Sequence, residues 1–167
     1  MNVVPIPKSK DEFRPISLLC HPIKILEKLV LKKWLVPALQ RPFCSSQFAF
    51  IPNIKYGGCC NALTLARVWS LRALDEGTVY VRWLAVDFKK AFDTVSHKKV
   101  LTTLTDHFNV TSGVIPWLFD YFSGRVQRVS VNSRQNSPFL QCSSGVPHGS
   151  ILGPVLFAIL LDPCLSV

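Results

Sequence analysis

The hydrophobic pattern of the chain alternates between strand-like and helix-like spacings. Two short strands are predicted over residues 3–8 and 13–19, which together carry three prolines. Proline is tolerated at the edge of a sheet, where its missing N–H is not needed, so these segments are predicted to form an edge hairpin around a polar turn at 9–12.

Helices are predicted where apolar residues recur every three or four positions. Their predicted ranges are 22–40, 59–76, 96–108 and 114–122, with a further helix in the apolar run 151–161. The apolar residues that share one face of the first helix are Ile23, Leu26, Val30 and Trp34. Those predicted to point inward from the second are Leu63, Ala66, Trp69 and Leu74. Pro22 begins the first helix, Gly77 ends the second and Ser96 caps the third.

Residues 78–87 are predicted to form a buried strand, because apolar and β-branched side chains dominate them and the run ends at Asp87. Two more strands are predicted at 124–131 and 139–143, on either side of a polar turn at 132–137. Helices that alternate with such strands indicate an α+β fold, in which an antiparallel sheet is backed by helices.

Length and charge narrow the class of protein. The 167 residues suit one domain, and a 49% apolar composition is sufficient for a packed core. The net charge of +9 favours a polyanion such as nucleic acid; an anionic membrane is the weaker alternative, and a solubilising charge is the plainest one. Lys24, Lys28 and Lys32 lie four residues apart, so they form either a solvated face or a contact to a phosphate backbone.

The six cysteines contain no Cys-x-x-Cys pair, which indicates reduced and mostly buried thiols in an intracellular protein. No basic segment followed by an apolar core occurs at the N-terminus, so no signal peptide is expected. The longest apolar run is far shorter than the ~20 residues of a membrane-spanning helix. No membrane partner is therefore expected.

Two positions suggest chemistry. A carboxylate at a strand end, Asp87, can bind a divalent metal, since magnesium prefers carboxylate oxygens; a helix N-cap is the commoner role for such an aspartate. Gly145, Pro147 and Gly149 form a tight loop with His148, in which a phosphate or base could approach the backbone closely. Structural turns of the same composition are commoner than ligand-binding ones.

Four sequence blocks occur in a fixed order. Lys8 is followed by FRPISL at 13–18, QFAF at 47–50, AVDFKKAFDTV at 85–95 and SGVPHGSILGP at 144–154. Together they resemble the reverse transcriptase of non-LTR, LINE-like retrotransposons. The resemblance implies a right-hand polymerase with fingers at 1–79 and a partial palm at 80–167. It also implies magnesium as cofactor, an RNA template, a DNA primer and deoxynucleotide triphosphates as partners, and a location in the cytoplasm and nucleus.

The resemblance assigns roles in the active site. Asp87 would be the catalytic carboxylate that binds both magnesium ions, and Phe88 would contact the metals and the nucleotide through its backbone. Phe92 would be the steric gate that excludes a ribose 2′-hydroxyl. Lys8 and Arg14 would bind the triphosphate, a role that suits a point charge and a forked guanidinium.

The glycine loop also receives a role from the resemblance. Gly145, His148 and Gly149 would hold the primer-template and pack near the incoming base pair. In the family, glutamine usually stands at the position of His148.

One expected element does not occur in the sequence. The family's hairpin with Tyr/Phe-Ala-Asp-Asp, which brings the other catalytic aspartates, is absent, and Asp162 is expected at the end of the last helix, where it cannot replace them. We therefore predict an incomplete reverse transcriptase domain that binds magnesium weakly and does not polymerise alone. The alternative is a non-catalytic nucleic-acid-binding remnant or a translated pseudogene. A group II intron maturase fits less well, because FKKAFDTVSH at 88–97 is LINE-like.

Overall fold

The computed structural model describes residues 1–8, 12–52, 57–111, 113–131 and 135–165. The predicted polar turns at 9–12 and 132–137 lie partly outside these residues. Within them the chain forms five helices and a four-stranded sheet, so the α+β class is confirmed.

The sheet begins with the predicted N-terminal hairpin. Strand β1 (Asn2–Pro7) pairs antiparallel with β2 (Phe13–Leu18), and Pro5 lies opposite Pro15. Because proline lacks an N–H, β1 can accept a second neighbour only before its prolines, and its pairing with that neighbour is confined to Asn2 and Val3.

That second neighbour is β3 (Val126–Val129), which runs parallel to β1 and pairs antiparallel with β4 (Leu140–Gln141). The strand order is β2-β1-β3-β4. The prediction of a wholly antiparallel sheet was therefore wrong for one pair. The helices between β1 and β3 supply the long crossover that a parallel connection requires.

Helix α1 spans His21–Val30 and continues through a wider turn at Leu31–Leu35 and a last turn at Val36–Ala38. In the wider turn the Val36 N–H donates to the Leu31 carbonyl, five residues back. The predicted helix is confirmed, but its buried face differs from the predicted one. The buried residues are Glu27, Val30, Leu31 and Leu35, whereas Ile23, Leu26 and Trp34 are exposed.

Helix α2 (Cys59–Asp75) forms where it was predicted, and the chain leaves it at Gly77 with a φ of 95°. The predicted inward packing was wrong. The helix has no buried residue, and Leu63 and Trp69 are 61% and 55% exposed. The amphipathic spacing produced a helix without a described partner to cover its apolar face.

The predicted strand at 78–87 does not form. Val79 and Leu84 are 89% and 90% exposed, and none of the four described strands pairs with the segment. A strand is stable only when a neighbour satisfies its backbone N–H and C=O groups, so an apolar run without one stays extended and irregular. Two hydrogen bonds hold it to α2: the Thr78 N–H donates to the Ala73 carbonyl at 3.0 Å, and the Trp83 Nε1–H donates to Ser70 Oγ at 2.9 Å.

Three helices supply most of the core, to which α1 adds Val30, Leu31 and Leu35. Helix α3 (His97–Thr102) is capped by the Ser96 hydroxyl as predicted and continues through a wide turn at Thr103–His107. It packs with α4 (Val114–Phe122) and α5 (Leu152–Leu165). The completely buried apolar side chains at their contact are Val100, Leu104, Phe108, Leu118, Leu152, Leu156 and Ile159.

Two further expectations concern the surface. All six cysteines are free, and four of them are exposed, so the prediction of mostly buried thiols was wrong. Among the residues that the structure describes, no helix is long and apolar enough to cross a membrane.

Candidate nucleotide and nucleic-acid site

The glycine loop at 145–149 packs directly on the turn at 90–95. The Gly145 N–H donates to the Val95 carbonyl and the Val146 N–H to the Phe92 carbonyl, both at 2.8 Å. Gly145 has a φ of 84°, and a Cβ there would lie 2.8 Å from the Asp93 carbonyl oxygen. Glycine is therefore required, because the two backbones meet with no room for a side chain.

The other side of the loop is attached to the sheet. The Ser17 N–H in β2 donates to the His148 carbonyl at 2.8 Å. Gly149 has a φ of 109°, and a Cβ there would lie 3.2 Å from the Ser17 carbonyl oxygen. The loop is thus held between β2 and the turn that follows Asp87.

An aromatic cluster joins three of the four sequence blocks. The Phe92 ring lies 5.4 Å from the His148 ring, 5.5 Å from Phe157 and 6.0 Å from Phe50. The Phe88 ring packs on Phe157 at 5.9 Å. Such tilted and edge-to-face contacts are the favourable arrangements of aromatic rings. Phe92 and His148, which sequence reasoning placed in one site, are in contact.

His148 also has a polar partner that sequence reasoning missed. Its Nε2 lies 3.1 Å from Asp93 Oδ1, with the two side chains about a quarter and two fifths exposed. The position of Asp93 one residue after Phe92 was the available signal. Phe50 and Phe157 were missed as ring partners, because only the tertiary fold brings them to Phe92.

A basic groove of about 420 Å³ lies beside the loop, lined by residues from all four described strands, the turn at 90–95 and the loop itself. Its cationic side chains are Lys90, Arg125 and Arg128. The Arg125 guanidinium lies 4.4 Å from the Tyr121 ring centre, and its buried Nη1 has no hydrogen-bond partner among the described residues. A guanidinium that is held by stacking and keeps a donor without a partner can bind an anion.

The two predicted triphosphate ligands are exposed side chains outside the lining of this groove. Lys8 is exposed and pairs with Glu12 at 3.2 Å, and Arg14 is exposed on β2. The described lining of the groove includes neither residue. Among the described residues, no hydrogen bond, ion pair or ring contact joins Lys8 or Arg14 to Phe92 or His148.

Asp87 is exposed and directly precedes Phe88, which is anchored on α5. Within the described ranges, no three His, Cys, Asp or Glu side chains are close enough to hold a metal ion together. Magnesium is commonly held by one or two carboxylates together with substrate phosphates. Asp87 fits such a site as one oxygen ligand, with the other oxygens supplied by a bound nucleotide.

Asp162 has a different environment. It is 1% exposed, and its carboxylate accepts from the Cys44 N–H and lies against His107 Nε2, each at 2.8 Å. It ties the end of α5 to Cys44 and to His107, and the expectation that it cannot act as a second metal ligand beside Asp87 stays a prediction.

Comparison with known proteins supports the resemblance that the four sequence blocks indicated. Residues 6–166 match the model of the family described as reverse transcriptase (RNA-dependent DNA polymerase), and the chain therefore belongs to this family. Its relatives include proteins of non-LTR retrotransposons.

The chain is 32% identical over 161 residues to the RNA-directed DNA polymerase from mobile element jockey of Drosophila funebris, and 28% identical over 158 residues to its namesake in Drosophila melanogaster. Each alignment covers 92% of this chain and 16% of the relative. A Pol polyprotein from the type-1 retrotransposable element R2 of Popillia japonica is 31% identical over 110 residues, covering 66% of this chain and 18% of that protein. The chain thus spans about a sixth of the length of the jockey relatives.

Proposed function

We propose that the chain forms the fingers (1–79) and part of the palm (80–167) of an RNA-directed DNA polymerase of a LINE-like retrotransposon. The reaction is the transfer of a deoxynucleotide to the 3′-hydroxyl of a DNA primer on an RNA template, in the cytoplasm and nucleus. The observation that carries the proposal is the convergence of the glycine loop and the turn after Asp87 beside one basic groove.

The groove suits a sugar-phosphate backbone. Lys90, Arg125 and Arg128 supply the positive charge, and neutralisation of phosphates with release of counterions provides most of the affinity for nucleic acid. Gly145 and Gly149 let the loop pack closely on the turn at 90–95 and on β2, which would hold it in place beside the groove for a primer-template. We assign His148 to the contact with the incoming base pair, with Asp93 orienting its ring.

The nucleotide would lie against Phe92. This ring is held by its contacts with Phe50, His148 and Phe157, so it can act as a rigid steric gate against a 2′-hydroxyl. The Phe88 backbone would contact the same nucleotide. Lys8 and Arg14 would bind the triphosphate, for which Lys8 must exchange Glu12 for a phosphate oxygen.

Asp87 would hold magnesium together with the nucleotide phosphates. The metal, when bound, stabilises the negative charge that develops during phosphoryl transfer. The residues of this chain orient the primer and nucleotide around it, and positioning together with electrostatics accounts for most catalysis of this reaction class.

A second candidate function is nucleic-acid binding without catalysis. It is favoured because the basic groove is better supplied with binding residues than the metal site is. The groove has three cationic side chains, whereas the described residues offer Asp87 without a metal-binding group of three His, Cys, Asp or Glu side chains.

The two functions are separated by a chimera. Residues 6–166 replace the aligned segment of the jockey polymerase, and extension of a labelled DNA primer on RNA is measured in magnesium. We expect extension that Asp87→Asn abolishes and that Asp75→Asn, at the exposed end of α2, leaves unchanged.

The purified 167-residue chain provides the second measurement. We expect it to bind an RNA–DNA primer-template with an affinity that falls as salt rises, and not to extend it alone. The chimera could fold and bind the primer-template but fail to extend the primer, although the parent polymerase extends it. That result would favour binding without catalysis. No binding by the chain at low salt would contradict both functions.

A further inference from the structure

Glu27 is a buried carboxylate with no described ion-pair partner at salt-bridge distance. It is 1% exposed within α1. The described ion pairs involve the acids Glu12, Asp93 and Asp162 instead. Burial of a charge is unfavourable unless hydrogen bonds replace its hydration. Glu27 has three: one oxygen accepts from the Tyr121 hydroxyl at 2.8 Å, and the other from Ser150 Oγ at 3.0 Å and from the Ile151 N–H at 2.7 Å.

Two of these donors belong to the end of the glycine loop. Ser150 and Ile151 directly follow Gly149, and Ser150 Oγ also accepts from the Gly153 N–H in the first turn of α5. The same carboxylate therefore fixes the exit of the loop, the start of α5 and, through Tyr121, helix α4. The loop entrance is fixed separately by the turn at 90–95.

We propose that Glu27 is a positioning residue for the site: it anchors the exit of the loop and so places His148 and Gly149 for the primer-template. The proposal rests on the proposed function for its substrate. Glu27 would not touch nucleic acid, because it is buried under the loop and acts through Ser150 and Ile151.

The arrangement of donors distinguishes substitutions at this position. The oxygen that receives both loop donors must be an acceptor, while the atom facing Tyr121 can be a donor, because the tyrosine oxygen can also accept. Glu27→Gln can therefore keep both loop bonds by placing its carbonyl toward the loop. Glu27→Leu keeps the approximate volume of the side chain and removes all three acceptors.

The first readout is amide hydrogen exchange at 145–151 in the full chain, followed by mass spectrometry. We expect Glu27→Leu to raise exchange in this segment about tenfold, the effect of losing a charge-assisted hydrogen bond, and Glu27→Gln to stay close to wild type. The matched control is Asp162→Asn. Asp162 is also a buried carboxylate, but it anchors the far end of α5. This control should leave exchange at 145–151 unchanged.

The second readout is the Kd for an RNA–DNA primer-template, measured where each variant is folded. We expect a several-fold weaker Kd for Glu27→Leu, recovery in Glu27→Gln and no change in Asp162→Asn. Should Glu27→Leu fail to fold, Ser150→Ala removes one anchor and is expected to raise exchange at the loop exit in the same way.

Equal loop exchange in wild type and in the variants that lose the anchor would overturn the positioning role, whatever the Kd for the primer-template. A faster loop with an unchanged Kd would also overturn it, because the anchor would then be structural only. If the wild-type chain binds no primer-template, the proposed function fails, while the exchange experiment still tests the anchor.

Discussion

At position 145 the backbone of the loop meets the backbone of the turn that carries Phe92. We expect Gly145→Ala to lower the free energy of unfolding by about 1–3 kcal/mol more than Gly77→Ala, measured by denaturant titration. Both glycines have a positive φ, 84° and 95°, but a Cβ at position 77 meets no atom within 4 Å. The comparison isolates the clash with Asp93. Equal losses would show that the loop and turn separate readily in solution.

Tyr121 makes the stability of the fold depend on pH. Burial, and then the negative charge of Glu27, raise the pKa of the Tyr121 hydroxyl above its usual value of 10.0. Above about pH 10 the unfolded chain therefore loses this proton before the folded chain does. The stabilisation is complete below pH 10 and is lost as pH rises through the raised pKa.

We expect wild-type stability to fall more steeply above pH 10 than that of Tyr121→Phe, which has no proton to lose there. Denaturant titrations at a series of pH values measure the slopes. Tyr80→Phe is the control, because Tyr80 is 62% exposed. A Tyr121→Phe slope equal to that of wild type would mean that the hydroxyl is hydrated in solution.

At this scale the sequence predicted a site with Phe92, His148 and the loop glycines, because each stands in a distinctive local block, and the structure brings the Phe92 and His148 rings into contact. Glu27 and Asp93 were not identified. A glutamate on a helix is normally solvated, and only the packing of α1 against α4 and the loop buries Glu27.

Among the elements, helices were predicted better than strands, and the physical reason is locality. The hydrogen bonds of α2 lie within the segment itself, so it forms although its apolar residues are exposed. Residues 78–87 have strand-like composition, yet strand formation depends on a neighbour elsewhere in the chain, which a local pattern cannot specify. The parallel pairing of β1 with β3 was missed for the same reason.

The unequal burial of the helices leads to a prediction. We expect Leu156→Ala in α5 to cost about 2–5 kcal/mol of unfolding free energy, because Leu156 is completely buried and its removal leaves a cavity. Leu63→Ala in α2 is the matched change at a 61% exposed position. It should lower the free energy of unfolding by less than about 1 kcal/mol. Comparable losses in the two variants would show that α2 is covered in solution.

For the molecule as a whole, a net charge of +9 indicates a polyanionic partner but not where it binds. The fold adds this information, because β3 and the glycine loop bring Arg125, Arg128 and Lys90 to one groove, while Lys8, Lys28 and Lys32 are exposed elsewhere and do not line it. Lys90 is far in sequence from Arg125 and Arg128, so no local pattern could have grouped all three.

The adjacent lysines 89 and 90 test this location. Both are exposed, but Lys90 lines the groove and Lys89 does not, and the φ of 55° at Lys90 suits asparagine. Each change to asparagine lowers the net charge equally. We expect Lys90→Asn to reduce the slope of log K against log salt for an RNA–DNA duplex by about one, and Lys89→Asn to leave it nearly unchanged. Anisotropy titrations at several salt concentrations give the slopes. Equal reductions would mean that the duplex responds to total charge, and a larger effect at Lys89 would place the phosphate path outside the groove.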